Sequence, residues 1–409
     1  MKKILLISTL FAFSCSFSVL SCKGQTAYIT NESDHTVSVI SVPGNFVYAT
    51  ITVGKGPNGV SVSSDGSKVY VSNIDDNSVS VINTASNTVS ATIPVGASPR
   101  AIVVSPDGSL IYVTNYNSNT VSVINSFSNT VSLSIAVGGY PYGITANPDG
   151  NSIYVVNEGD NTVSVISTST NAVSATIPVG TTPMGICVSP DGRYVYVTNT
   201  VPGTVSVIST CTNTVTSTIH VGTNPYGITI SPDGKKVYVT NFYDNSVSVI
   251  NTATNAVSAT IYMVGTYPWG ISISPDGSKL FVADDGAGTV KEINTSSNTV
   301  SGTLTVGANP VAFGNFISAH TDGIDQLSIS SVNIDVYPNP TIGKFQVSSP
   351  NTQVSGIDIY NVLGEKVYSA TNSQPQATNE INLSGRPNGV YMVEVKTDKG
   401  VMVKRVEKE

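Results

Sequence analysis

Three histidines, four cysteines and one tryptophan are the whole supply of imidazole, thiol and indole in this chain of 409 residues. Zinc, copper or haem chemistry needs several such ligands brought together. His35, His220 and His320 fall in different registers of the pattern described below: a loop, a strand end and a linker. Cys15 and Cys22 belong to the N-terminal apolar segment or its edge, which leaves Cys187 and Cys211. Their register places them too far apart for a disulfide, so both are expected as free thiols. Acid pairs such as Asp75-Asp76 and Asp284-Asp285 have weak Ca²⁺ capacity, but no loop has the ligand density of a dedicated site. General acid–base work needs charged groups converging on one point. Among seven equivalent positions (Asn58, Arg100, Tyr142, Met184, Tyr226, Trp269 and Val311) only Arg100 offers a charge. The same positions are rich in aromatic rings, with Tyr116, Tyr140, Phe242, Tyr243 and Tyr267 close by in register. Rigid rings beside hydrogen-bonding groups suit sugars or protein side chains. Tyr142, Tyr226, Trp269, Tyr140, Tyr267, Arg100 and Tyr243 are therefore the ligand-binding candidates. Acids share their face: Asp75, Asp76, Glu158, Asp160, Asp244, Asp284 and Asp285. The competing reading is that the rings only fill a channel. No catalytic residue, metal site or cofactor is assigned.

The elements that position these residues come from repetition. Tyr28, Tyr70, Tyr112, Tyr154, Tyr196, Tyr238 and Phe281 share one register, at spacings of 42 with a final 43. Each unit alternates Val or Ile with Ser or Thr, the period of a half-buried strand. Turns such as Ser105-Pro106-Asp107-Gly108 punctuate them. Each unit reads as four antiparallel strands a to d, for example Gly227–Ile230, Lys236–Thr240, Ser246–Ile250 and Val257–Ile261. One such sheet cannot bury both faces, whereas seven packed around an axis bury one another. The first copy lacks strand a, and the last ends in a lone candidate, Val311–Ile317. The fold class is thus all-β: a seven-bladed β-propeller closed by one C-terminal strand beside three N-terminal ones, followed by a small Ig-like β-sandwich. The a–b and c–d turns lie on one face of the disc, the variable b–c and d–a loops on the other.

These units resemble the YVTN family of β-propeller repeats. The tetrapeptide stands at Tyr112-Val113-Thr114-Asn115, Tyr196-Val197-Thr198-Asn199 and Tyr238-Val239-Thr240-Asn241, while Phe281-Val282-Ala283-Asp284 departs most. The family includes surface-layer and adhesion-like proteins and is similar in architecture to some enzymes. The propeller is assigned to 25–320 and a polar linker to 321–331. Residues 332–409 resemble the C-terminal sorting domain of type IX secretion substrates. Its marks are Tyr337-Pro338-Asn339-Pro340 with Gly343, Ile359-Tyr360-Asn361 with Gly364, Gly389 and Tyr391, then Gly400 and Lys404. The sorting-signal candidates are Pro338, Asn339, Pro340, Gly343, Gly364, Gly389, Tyr391 and Lys404. The resemblance implies passage through the periplasm and across an outer membrane, recognition by the type IX secretion machinery, and a Bacteroidetes-type source.

Residues 1–24 read as an export signal, with Lys2 and Lys3 before an uncharged apolar run and cleavage before Gln25. Lipidation of Cys22 is the minor alternative. No later apolar stretch is long enough to span a bilayer. A formal charge of −7 argues against nucleic acid as a partner. The expected protein is a secreted or surface β-propeller holding glycan or protein on the b–c/d–a face. The alternatives are a structural coat or matrix protein and a lactonase-like or other propeller hydrolase.

Overall fold

The computed structural model describes residues 25–262, 264–318, 335–348, 354–361, 366–376, 378–397 and 400–409. The expected export signal at 1–24 with Cys15 and Cys22, His320, the expected linker at 321–331 and Gly364 lie outside them. The described residues form two compact units, one from 25–318 and one from 335–409.

In the first unit, β-branched alternation gives short strands that pair as hairpins. Blade 6 is typical: strands a (Pro225–Ile230), b (Lys236–Asn241), c (Ser246–Asn251) and d (Ala256–Tyr262) pair antiparallel in that order. The same order recurs in blades 2 (57–94), 3 (99–136), 4 (141–178), 5 (183–220) and 7 (268–305). The a–b turns are held by their own side chains. In blade 3 the Ser105 hydroxyl donates to Asp107, whose carboxylate also accepts the Ser109 N–H at 3.0 Å, and Gly108 takes φ +74°. These bonds favour the ionised carboxylate and lower the Asp107 pKa.

Blade 1 supplies three strands, Thr26–Asn31, Thr36–Ser41 and Phe46–Thr52. Its fourth edge is taken by 309–318. Val311 N–H donates to Thr30 O (3.0 Å), Tyr28 N–H to Phe316 O (2.9 Å) and Ser318 N–H to Thr26 O (2.9 Å). The ring therefore closes. The closing segment is not the regular strand expected for Val311–Ile317, however. Ala312 (φ +36°) and Gly314 (φ +124°) turn the chain out between the bridges Asn31↔Pro310 and Ala27↔Ile317. The detour carries Phe313 to blade 2, where its N–H donates to Asn58 O (3.2 Å) and its carbonyl accepts the Val60 N–H (3.0 Å).

The tetrapeptide has a mechanical meaning. Tyr238 is buried between blades 6 and 7, while Val239 packs on the opposite face against blade 5. The Thr240 hydroxyl accepts the Gly227 N–H (2.8 Å) and donates to Trp269 O of the next blade (2.7 Å). The Asn241 amide donates to the Ser246 and Ser248 hydroxyls (3.0 and 2.9 Å), and its oxygen accepts the Gly222 N–H (3.1 Å). Thr30, Ser72, Thr114 and Thr198 make the same clasp to the carbonyls of Asn58, Arg100, Tyr142 and Tyr226. In five of the seven blades one hydroxyl thus fixes the backbone of the next blade's innermost strand, while Val156 in blade 4 and Ala283 in blade 7 hold the position without one.

The strand-a side chains enclose a central cavity of about 130 Å³, bounded by Ile102, Thr145, Cys187, Thr229 and Phe313 among others. Cys187 lies here, burial pushing its pKa up, and Cys211 is exposed in the c–d turn of the same blade; neither is bonded to another cysteine.

The second unit has a three-stranded sheet (Asp335–Tyr337, Lys344–Ser348, Thr378–Asn382) and a four-stranded one (Lys366–Gln376, Val354–Asn361, Gly389–Thr397, Gly400–Lys408, in that order). Phe345, Val347, Ile357, Ile359, Val393 and Val395 are among the residues of its core. Pro338 and Pro340 are exposed, and the Asn339 side chain accepts the Glu407 N–H at 2.9 Å. Gly343 needs to be glycine: its φ is +116°, and a Cβ would lie 2.8 Å from Ser384 Cα. Gly389 has φ +146° with open space around it. Tyr391 is buried and donates to Pro387 O (2.6 Å), and Lys404 is half-buried on the last strand.

Candidate functional site at the channel mouth

Antiparallel pairing puts the start of each strand a beside the end of strand b, as in Pro57↔Asn73 and Pro225↔Asn241. The equivalent residues one step into strand a therefore ring the channel on the b–c/d–a face. Asn58, Tyr142, Met184 and Val311 are buried there, and Arg100, Tyr226 and Trp269 are half-buried. A second ring is formed by the residue following each motif Asn or Asp: Glu32, Ile74, Tyr116, Glu158, Thr200, Phe242 and Asp285.

The rings gather into two groups. In one, the Arg100 guanidinium stands 5.2 Å from the Tyr116 ring centre and 5.5 Å from that of Tyr142. Tyr140 stacks on Tyr116 (5.0 Å), and Phe313 meets Tyr142 edge-on (5.3 Å). In the other, Phe242 contacts Tyr226, Tyr243, Tyr267 and Trp269, with Tyr267 stacked at 4.7 Å. Tyr140, Tyr243 and Tyr267 reach solvent, being 50%, 59% and 42% exposed. Tyr142 does not: Phe313, absent from the sequence-based ring, covers it.

The acids of this face separate by role. Asp34, Asp76, Asp160 and Asp244 each accept one backbone N–H across the d–a loop at 2.6–2.7 Å, from Ala308, Lys55, Gly139 and Thr223. Asp284 takes the place of the motif Asn, accepting the Thr266 N–H and the Thr289 hydroxyl. These are loop clamps. Glu32 and Asp285 belong instead to the second ring. Burial raises the Glu32 pKa; Arg100 and Asn58 pull it back, and Asp285 and Asp75 push it up again. Burial likewise raises Asp285. Burial, with Glu158 adding to it, pushes Tyr116 up to about 12.

Asn58 is fully buried and faces Glu32, yet neither polar atom of its amide completes a hydrogen bond of good geometry. Arg100 Nε and Trp269 Nε1 are also buried without partners. Unsatisfied polar atoms in a folded interior cost about 1–3 kcal/mol each, so their clustering at one mouth calls for an explanation. Sequence reasoning missed Glu32. The signal was its register with Tyr116, Glu158, Phe242 and Asp285, one residue past the motif Asn.

Glu32 carries a prediction. A carboxyl whose pKa is raised on folding stabilises most below its unfolded pKa, and that stability is lost as pH rises through the folded value. Glu32→Gln is therefore expected to stabilise the propeller at pH 7 by about 1 kcal/mol, read as a higher thermal midpoint. The gain should vanish near pH 4, where wild-type Glu32 holds its proton. An equal shift at both pH values would mean that the effect is not electrostatic.

Residues 335–409 match the secretion system C-terminal sorting domain. Residues 16–138 match the family of lactonase seven-bladed β-propellers, and residues 146–240 match the YNCE-like β-propellers. The chain is a β-propeller with a C-terminal sorting tail. The tail marks this β-propeller as an export substrate of the type IX secretion machinery, destined for the cell surface or the medium. Among solved structures it is similar to the hydrazine synthase of Kuenenia stuttgartiensis (24% identity, 68% of this chain and 94% of that one, TM-score 0.63). It is also similar to a functionally unknown protein of Desulfotomaculum acetoxidans (19%, 71% and 99%, TM-score 0.62). A third similar structure is a candidate 6-phosphogluconolactonase of Bacteroides uniformis (18%, 71% and 98%, TM-score 0.62). At these identities the likeness is one of fold. No curated protein matches the chain. Among the described residues, no helix is long and apolar enough to cross a membrane and no group of His, Cys, Asp and Glu could hold a metal ion.

Proposed function

We propose that this exported β-propeller is a binding module that holds a glycan or protein ligand at the channel mouth, on the b–c/d–a face. The reading includes a cleaved leader at 1–24, a propeller over 25–320, a linker over 321–331 and a sorting domain over 332–409. The observation that carries it is Asn58: a buried amide whose one near side-chain partner is the desolvated Glu32 carboxylate, poorly aligned with it, beside an Arg100 whose Nε lacks a partner. A ligand hydroxyl or amide would complete these bonds. Backbone conformation adds support. The residue preceding the strand-a proline is left-handed in every blade: Gly56, Ser98, Tyr140, Thr182, Asn224, Tyr267 and Asn309. Gly and Asn suit that conformation, whereas a bulky ring there is disfavoured. The two tyrosines are kept at a cost, and both lie at the exposed tips of the aromatic groups.

A second reading rests on the lactonase match over 16–138, which spans Glu32 and Arg100. There, Glu32 is the candidate general base, because desolvation raises its pKa. One set of variants tests both readings. Mature protein is presented to glycan and peptide arrays and to a lactone panel, beside Glu32→Gln and a Tyr140→Asn/Tyr267→Asn double variant. Binding is expected to fall at least about tenfold in both variants. Unchanged binding in both would remove the mouth as the site. Lactone turnover abolished by Glu32→Gln would select the second reading.

A further inference from the structure

Blade 6 departs from its siblings at one outer corner. The last residue of strand d is Thr52, Pro94, Ala136, Pro178, His220, Tyr262 or Thr305 in the seven blades, so a phenol ring stands there only in blade 6. Cross-strand pairing fixes where that ring points. Asn241 pairs with Ser246 and Ser246 with Tyr262; in the next rung but one, Ser248 pairs with Thr260. Paired residues share a face. That face looks toward blade 5, as the packing of Val239 and Ile250 against Val205, Val207 and Ile219 shows. Toward the b–c face the apolar contact gives way to hydroxyls. The first residue of strand c is also trimmed, to Ser246, where five of the six others have Thr.

The result is a groove of about 480 Å³ between the end of strand d of blade 5 and the outer half of blade 6. His220 forms one lip and Tyr262, 68% exposed, forms the other. The floor is polar. Asp244 uses Oδ2 to hold the Thr223 N–H (2.6 Å), which leaves Oδ1 open. Ser246 and Ser248 accept from Asn241 and lie buried beneath this floor. Among the described residues, the Thr260 hydroxyl, the His220 imidazole and the Tyr262 hydroxyl have no protein partner. The volume lies within the range of small-molecule sites.

We infer that this groove binds a pyranose unit of a polysaccharide, at a site separate from the channel mouth. The chemistry selects that class. A pyranose has an apolar face of ring C–H groups, which matches the flat Tyr262 ring. Its hydroxyls both donate and accept, which matches the open Asp244 oxygen, the Thr260 and Tyr262 hydroxyls and the His220 imidazole lining one space. The Asp244 carboxylate disfavours an anion. The floor is too polar for a lipid chain.

The test uses the mature full-length protein, titrated calorimetrically and by saturation-transfer NMR with methyl pyranosides of glucose, galactose, mannose and N-acetylglucosamine and with their short oligomers. At least one series should bind, and Tyr262→Ala should weaken it at least about tenfold. Thr260→Val should weaken it through a different contact. Both side chains are exposed, so the thermal midpoint should not move in either variant. Glu32→Gln and Tyr140→Asn should leave this binding intact. The assignment is overturned if no pyranoside binds, if binding survives Tyr262→Ala, or if binding is lost in Glu32→Gln but not in Tyr262→Ala, which would place the sugar at the mouth instead.

Discussion

Gly185→Val is expected to destabilise the propeller by about 3 kcal/mol, a fall of about 5 °C in thermal midpoint for a unit of this size. The reason is a ring of close approaches. Gly185 begins the inner part of strand a in blade 5, and a Cβ there would lie 2.2 Å from the carbonyl oxygen of Tyr226 in blade 6. Ile228 Cγ2 and Thr198 Oγ1 would each be 3.1 Å away. The same geometry recurs at Gly59, Gly143, Gly227 and Gly270, each against the backbone of the next strand a. The carbonyls facing Gly59, Gly185 and Gly227 are ones clasped by the motif hydroxyls, so a side chain at Gly185 cannot be accommodated by moving the neighbour without breaking the clasp. Ala101 holds the equivalent position in blade 3 and Ala312 in blade 1, so a single methyl is tolerated where the chain is arranged for it. The two γ carbons of valine are not. Differential scanning calorimetry decides the matter, and a loss below about 1 kcal/mol would show that the blades can part more freely than this packing allows.

Deleting residues 310–318 from the full chain is expected to abolish the cooperative unfolding of the propeller. The deletion strips the inner edge of blade 1 and removes Ala312, Phe316 and Ile317 from a core shared with Ile29, Val60 and Phe281 of blades 1, 2 and 7. It also unties Phe313 from blade 2. Phe316→Ala is the graded form of the same experiment. The ring of Phe316 is fully buried, and truncations of this kind cost about 3–5 kcal/mol. Limited proteolysis and calorimetry should agree. A deletion variant that keeps a sharp transition and resists protease would mean that the six remaining four-stranded sheets hold together without closure.

Much of this architecture was legible because each repeat states the same physics independently. The alternation of Val and Ser, the Pro-Asp-Gly turns and the invariant register of Tyr28 through Phe281 all give one answer, a packed ring of small sheets. The motif's Thr and Asn were visible as residues but not as devices; the Thr partner lies 28 or 29 residues on in the next blade, and the Asn oxygen is met by an N–H of the preceding d–a loop. The site was less legible. Aromatic positions could be aligned from the register, yet burial of Tyr142 depends on Phe313, which reaches it only because Ala312 and Gly314 bend the closing segment out of line. That bend has no counterpart in the other copies, so no comparison among repeats could reveal it. The acids differ in register, one residue past the motif for Glu32, Glu158 and Asp285 and three past it for Asp34, Asp76, Asp160 and Asp244, but register does not state their roles. What separates Asp160 from Glu32 is whether a backbone N–H from the preceding loop reaches the carboxylate, a tertiary fact. Tyr262 stood in plain sight, but its neighbours on the groove come from cross-strand rungs rather than from its own stretch of chain.

The closing segment has a further consequence for how the protein comes into being. Glu32 is tethered through its own N–H to Asn309, and Asn58 through its carbonyl to Phe313, so the mouth is assembled from both extremities of the propeller sequence. No partial ring possesses it. A chain halted or clipped short of its final turn would present six sound sheets and an unfinished aperture. Ligand capture would then double as a certificate of completeness, issued only after the two extremities have met.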